Sequence, residues 1–376
     1  MKLTCNTEEL KYLLRYGLGA IDPKSITNLD CFQLEAKEGL LFIKATDGKL
    51  DIEGQMAIQA EGSFQFLVKA KLFNNIIQVL SAPEVTLDIQ EDKNKLRIIS
   101  GTAKFNLEFY LNEYPTINKL EEGHILEVNA KEFKSKIEQT SFSAMKENTD
   151  TGILTVYNGL YLETEDKGLY LCGADNSRIA IAHMDLSELP VVPETSISIP
   201  LKILNMFCKL VKDDESTVKL VYNNQFLSLY YDTFVMSTTL LSGKYMNFRS
   251  IYLTDWFCDL KINRQDLLQA IQRISLIAER PDDIRQIKVE YQQDQQLTLS
   301  SDLAVAQAKE VVACEGSSSE EFDFWYSPFF LMDVLKLSIS DTVELRITKS
   351  TATALTFVGT DNYYLILPIR SSGASR

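Results

Sequence analysis

The sequence predicts an α+β chain built from three tandem copies of one unit, each combining antiparallel strands with two helices. Three observations carry this reading. A strand, turn, strand, corner, strand pattern recurs in LDCFQLEAKEGLLFIKATDGKLDI (29–52), in LTVYNGLYLETEDKGLYLCGADNSRIAIA (154–182) and, more weakly, in IRQIKVEYQQDQQLTLSSDLAVAQAKEVV (284–312). Each copy is followed by a short strand that runs into an amphipathic helix, and each unit opens with a helix of its own.

In the first unit, TEELKYLLRYG (7–17) reads as a helix with Thr7 as its N-cap. FQFLVKAKLFNNIIQVL (64–80) reads as strand then helix, and VTLDI and KLRIIS alternate apolar and polar residues as half-buried strands do. The second unit repeats the order with a helix over 130–145, a strand and helix in SISIPLKILNMFCKLV (196–211), and the strands VKLVY and FLSLYY. The third has a helix over 263–279 capped by Asn263, then FDFWYSPFFLMDVLKLS (322–338), VELRIT and ALTFVG. The implied domains are 1–123, 124–254 and 255–376, each of a size suited to one core.

Composition narrows the function classes. The 376 residues are 45% hydrophobic and 24% charged, as expected of a soluble globular chain. No apolar run approaches the roughly 18 residues that cross a bilayer, and the start MKLTCNTEELKYLL lacks a signal-peptide pattern, so the cytoplasm is the expected address. Cys5, Cys31, Cys172, Cys208, Cys258 and Cys314 form no CxxC pair and read as reduced core thiols. His124 and His183 stand apart without metal-ligand spacing, so no metal and no cofactor is expected. There is no phosphate-binding Gly loop, GxSxG elbow or HExxH, which argues against an enzyme. Asp47 and Asp175 recur at equivalent corners, where Asp is a turn former rather than a catalytic pair.

The formal charge is -14, which disfavours binding to a polyanion by overall attraction. Over the six predicted helices, however, Lys and Arg outnumber Asp and Glu, although the first and last helices do not share the excess. Such segregation suits a cationic lining on an acidic body. The candidate phosphate-contacting residues are Lys11, Arg15, Lys24, Lys69, Lys71, Lys131, Lys134, Lys202, Lys209, Lys212, Arg264 and Arg273. Lys202 and Lys209, seven apart, share a helix face opposite Leu204, Phe207 and Val211. No motif that reads base edges is present, so contact with nucleic acid would be independent of sequence.

Ordered landmarks across nearly the whole chain resemble the beta subunit sliding clamp of bacterial DNA polymerase III. They are MKLTCNTEEL, NEYPTI (112–117), GADNSRIA (173–180), LSGKYMNF (241–248) and YLILPIR (364–370). The resemblance implies three tandem DNA-clamp domains, two helices per domain inside and antiparallel sheets outside, in a head-to-tail dimeric ring around double-stranded DNA. It implies a non-catalytic processivity factor that partners the polymerase III alpha subunit, an ATP-driven clamp loader, and other replication and repair proteins carrying a clamp-binding motif. It also implies a partner-peptide pocket between the second and third domains. By resemblance its residues are Tyr157, Ala174, Asn176, Ser177, Arg178, Ile179, Met246, Ser250 and Ile251, with Ser327, Phe330, Leu331, Ala352, Ala354, Leu365, Leu367, Pro368, Ile369 and Arg370 from the third domain. Apolar walls with a few polar anchors suit a short peptide. For the subunit contact the resemblance points to Phe105 and Leu107 on one edge and to Leu276 and Ile277 on the other.

The chain departs from the family pattern at Asn176 and Ser177, where Gly-His is usual, at Met246, where Pro is usual, and at Ser371 after Arg370. The tail 371–376 is expected to lack regular structure. The alternative reading is a non-DNA interaction scaffold built from the same triplicated unit, which a monomeric solution mass would favour.

Overall fold

Side-chain caps decide where the first helices begin. In the computed structural model, which describes residues 1–25, 27–60, 62–147, 154–252, 254–277, 286–292, 295–303, 306–337, 340–349, 352–357 and 359–369, helix α1 spans Thr7–Gly17. Its cap is Asn6, one residue earlier than Thr7: the Asn6 side-chain oxygen accepts from the Glu8 and Glu9 amides at 2.9 and 3.0 Å. Thr7 instead takes the first helical position, fully buried, and its own amide donates to Pro83 O. Helices α2 (Ala70–Gln78), α4 (Leu201–Leu210) and α6 (Pro328–Leu337) leave directly from strands, as the strand-then-helix segments predict. Asn129 accepts from Glu132 N at the start of α3 (Ala130–Ser141), and Asn263 from Asp266 N at the start of α5 (Arg264–Ser275). Helix α3 stops four residues short of the predicted end. The Ser143 hydroxyl donates to Thr140 O and lies 2.9 Å from Gly173 O, which fixes the exit from the helix.

The chain packs as two compact units, and the middle segment contributes to both. The first comprises Met1–Lys134 and Ile199–Leu241. One of its sheets has five strands, ordered Gln59–Ala60, Lys2–Asn6, Glu84–Gln90, Lys95–Ser100 and Ala103–Glu108. Its other sheet has eight, ordered His124–Asn129, Thr217–Tyr222, Phe226–Tyr231, Phe234–Thr239, Leu50–Ala57, Leu40–Thr46, Cys31–Lys37 and Phe64–Lys69. The join lies between Phe234–Thr239 and Leu50–Ala57, antiparallel with Phe234 opposite Gly54. A Cβ at Gly54 would meet Leu13 Cδ2 and the Phe234 ring at 2.9 Å, so glycine lets the strand, α1 and that ring close together. Leu10, Leu13 and Leu14 of α1, Phe73 and Ile77 of α2, and Leu204 and Phe207 of α4 supply buried faces at helical spacing.

The second unit comprises Ser135–Ser198 and Ser242–Arg376. A single hydrogen-bonded series of twelve strands runs through it. It starts with Thr195–Pro200, Gly159–Glu165, Gly168–Ala174 and Arg178–Asp185, passes to Tyr363–Ile366, Thr353–Phe357, Thr342–Thr348 and Trp256–Asn263, and ends with Ala306–Ser318, Gln296–Leu303, Ile287–Tyr291 and Phe322–Tyr326. Arg178 faces Ile366 and Ile181 faces Tyr363 where the middle and last thirds of the sequence meet. Helices α5 and α6 pack over the last third through Leu267, Ile271, Ile274, Val334 and Leu335. No helix among the described residues is long and apolar enough to cross a membrane.

Gly173 lies where α3's exit presses on this sheet. A Cβ there would sit 2.4 Å from Thr140 O and 2.8 Å from Ser143 Oγ. Gly173→Ala is expected to destabilise by about 1–3 kcal/mol, because backbone must move to admit the methyl. A urea midpoint unchanged from the parent chain would contradict this packing.

Candidate functional site

An Asp-based turn sets the corner after strand Gly168–Ala174. Asp175 Oδ1 accepts from Ser177 N and Arg178 N at 2.8 and 3.0 Å, and Asp47 Oδ1 does the same for Lys49 N and Leu50 N. Both aspartates are thus turn formers, as their position in the repeat predicts. The turn aims Arg178 at α6. Its Nε donates to Asp175 Oδ2 at 3.1 Å, Nη1 to Asp333 Oδ2 at 2.7 Å and Nη2 to Phe142 O at 2.6 Å. The guanidinium also lies 4.2 Å from the Phe330 ring centroid and 5.2 Å from that of Phe142.

Beside this corner is an apolar cluster centred on Tyr245. The Tyr245 ring stacks on Tyr161 at 4.7 Å and meets Tyr157 at 4.9 Å, and its hydroxyl donates to Cys172 O. Burial pushes the Tyr245 phenol far above its ordinary range, so it stays neutral. Eight of the pocket residues implied by resemblance belong to this cluster: Tyr157, Ala174, Ile179, Met246, Ile251, Ala352, Ala354 and Leu365. Ala174 and Ala354 are sealed beneath it, so they form a floor and offer no surface of their own. Leu331 and Ser327 are buried as well, Leu331 in the core of the last third.

The terminal segment splits in a way its alternating pattern hides. Leu365 is 9% exposed and Leu367 is 42% exposed, although they are two apart. The strand ends at Ile366, after which Leu367 N donates to Ser177 O and Ile369 N to Trp325 O. Those bonds lace the segment from the Asp175 corner to Trp325. Leu367, Asn176 and Ser250 are therefore open, and Ser177, Phe330, Pro368 and Ile369 half-buried. Arg370 and the tail 371–376 lie outside the described residues. Asp333 was not singled out in the sequence. Its spacing of three from Phe330 on one helix is the signal that places it here.

The candidate cations are more thoroughly paired than their sequence implies. Lys11 meets Glu8, Lys69 meets Asp30, and Lys131 meets Asp213 at 2.7, 2.7 and 2.5 Å. Lys202 pairs with Asp47, and Lys212 with Asp232 at 2.8 Å. Arg273 grips Glu310 with two bonds of 2.7 and 2.9 Å, and Lys134 is half-buried. Arg264 departs from the expectation of a phosphate contact: its Nε and Nη1 donate to Ser340 O and Leu335 O, which satisfies carbonyls at the C-terminal end of α6. Arg15, Lys24, Lys71 and Lys209 are exposed and have no ion-pair partner among the described residues. Lys209 and Lys202 do share the open side of α4, with Leu204 and Phe207 fully buried.

Of the residues expected at a subunit contact, Phe105 and Leu107 are half-buried on Ala103–Glu108, an edge strand of the five-stranded sheet. Leu276, just past α5, is 80% exposed, and Ile277 half-buried. All six cysteines are free, and burial raises the Cys5 and Cys258 thiols to about 12. No group of His, Cys, Asp and Glu suited to a metal occurs among the described residues.

Comparison with known proteins adds the family. The DNA polymerase III beta subunit N-terminal domain matches residues 1–118, the central domain 127–247 and the C-terminal domain 257–370. The chain belongs to the DNA polymerase III beta subunit family. The beta sliding clamp of Rickettsia bellii is 24% identical over 94% of this chain and 95% of its own length. That of Bacillus subtilis is 27% identical over 88% and 85%. Among solved structures, the Bacillus subtilis DNA polymerase sliding clamp superposes with a TM-score of 0.91 at 22% identity, covering 99% of both chains. The Pseudomonas aeruginosa DNA polymerase III subunit beta gives 0.89 at 19% identity, covering 98% of this chain and all of the other. The fold is accordingly three tandem clamp domains, and the family is that of a non-catalytic processivity factor.

Replacing Arg178 by Ala would strand Asp175 and Asp333, one of them largely buried, and is expected to cost about 3 kcal/mol. Arg178→Lys should recover only part of that, since a single ammonium cannot reach three acceptors. Equal denaturation midpoints for the two variants would contradict the forked geometry.

Proposed function

We propose that two copies of this chain close head to tail into a ring around duplex DNA and hold polymerases there through a peptide groove along the apolar cluster around Tyr245. The observation that carries the proposal is the match of three successive beta subunit domains over nearly the entire chain, in the order the family has them. In this reading the domains are 1–123, 124–254 and 255–376. The edge strand with Phe105 and Leu107 meets Leu276 and Ile277 of a second copy, a heterologous contact that closes after two subunits.

The DNA-facing cations act on backbone phosphate alone. Arg15, Lys24, Lys71 and Lys209 are the readiest, because no carboxylate pairs with them among the described residues. Lys69, Lys131, Lys212 and Arg273, each about half exposed, exchange their carboxylates for phosphate at little cost, since exposed pairs are worth about 1 kcal/mol or less, and Lys11, 13% exposed beside Glu8, does so from a more buried position. Lys134 and Lys202 complete the set, and Arg264 serves α6. Contact of this kind is indifferent to sequence and falls with salt, which permits sliding. The groove takes a short apolar segment of the polymerase III alpha subunit, the clamp loader or other replication and repair proteins, in the cytoplasm.

Light scattering after size exclusion should give about twice 42.7 kDa, and a monomer would favour a scaffold that does not encircle DNA. Once loaded, the protein should stay on closed circular DNA and leave when the circle is cut; equal retention on both forms overturns the ring. The triple variant Arg15→Glu, Lys71→Glu, Lys209→Glu should keep the dimer mass while polymerase stimulation falls at least tenfold. Undiminished stimulation would remove these residues from the DNA path.

A further inference from the structure

We infer that Asp333 makes the groove prefer apolar peptides that carry a lysine or arginine beside their hydrophobic core over peptides that carry a carboxylate there. This rests on the reading of the groove as a peptide site. At that corner Arg178 is the residue an acidic peptide would be expected to seek, but three of its five N–H groups are already taken and its side chain is only 10% exposed. Each of its three nitrogens donates to an acceptor within the chain: Asp175 Oδ2, Asp333 Oδ2 and Phe142 O. The rings of Phe330 and Phe142 lie against it, with centroids at 4.2 and 5.2 Å.

What remains open is negative. The Arg178 side chain is 10% exposed and that of Asp333 38%. Only Oδ2 of Asp333 is used, and Oδ1 has no partner among the described residues. Two carboxylates, Asp175 and Asp333, face a single guanidinium, so these three groups together carry one negative charge. Asp333 stands one helical turn from the half-buried Phe330, and its side chain is open to solvent rather than sealed beneath that ring. Arg249, over Tyr170 and Phe248 of the same aromatic cluster, is likewise bound by two carboxylates, Glu163 at 2.6 Å and Glu165 at 2.7 Å. Lys244, exposed in the turn before Met246, has no ion-pair partner among the described residues. Were that cation to govern, the preference would run the other way.

The test uses three labelled synthetic peptides with one shared core of leucine and phenylalanine, flanked by two lysines, two glutamates or two serines. Binding to the intact full-length protein is followed by fluorescence anisotropy at low and high salt. The lysine peptide should bind about fivefold more tightly than the glutamate peptide at low salt, with the gap closing near 1 M salt. Asp333→Asn should erase the gap, leave the serine peptide's affinity within about twofold, and keep a cooperative thermal transition. Should that variant not fold, the salt dependence on the parent protein decides alone. If none of the three peptides binds, the reading of the groove as a peptide site fails and this inference with it. If the serine peptide binds while lysine and glutamate peptides bind equally, or glutamate binds better, the inference alone is overturned.

Discussion

Everything in this fold depends on backbone pairing between segments that are distant in sequence. Phe234–Thr239 completes a sheet begun by Leu50–Ala57, and Tyr363–Ile366 completes one begun by Arg178–Asp185. An unpaired strand edge leaves a row of N–H and C=O groups without partners and invites aggregation. Joining the sheets of successive domains removes two such edges within each pairing. It also explains why the middle third of the chain divides between two compact units instead of forming one alone.

The same joins create the chemistry. Where Arg178–Asp185 meets Tyr363–Ile366, the corner after Ala174, the exit of α3 and the middle of α6 converge on one guanidinium. A part-buried arginine is tolerated there because every nitrogen has an acceptor and two aromatic rings lie against the guanidinium. Its counterpart in the first unit is differently furnished: the Asp47 corner presents no arginine, and its carboxylate pairs with Lys202 of α4. The repeated Asp builds the same turn twice, while the residue that reaches across differs. The Asp175 corner is flanked by an apolar cluster, with Leu367 open beside it.

Charge is distributed by the same economy of pairing. A chain of -14 that places cations on its helices must keep them from repelling one another, and carboxylates on adjoining loops and strands do so at Asp30, Asp213, Asp232 and Glu310. Such exposed pairs are weak enough to be exchanged for phosphate. Arg264, whose donors are spent on the carbonyls that end α6, is held much more firmly.

Much of this was legible from the sequence because it is local. The three-fold recurrence, the strand-then-helix segments, the Asp47 and Asp175 turns and the Asn263 cap depend on residues within a few positions of one another, where spacing and side-chain reach are decisive. Asn6 was missed in favour of Thr7 because both are capping residues and only the backbone entering the helix chooses between them. Tertiary structure alone decided which cation keeps a partner, that Arg264 ends a helix, and that Leu365 turns in while Leu367 turns out. It also brought Asp333 to Arg178, 155 residues away. Partners at that separation in sequence are selected by the closing of sheets and the packing of helices, and nothing in local periodicity encodes them.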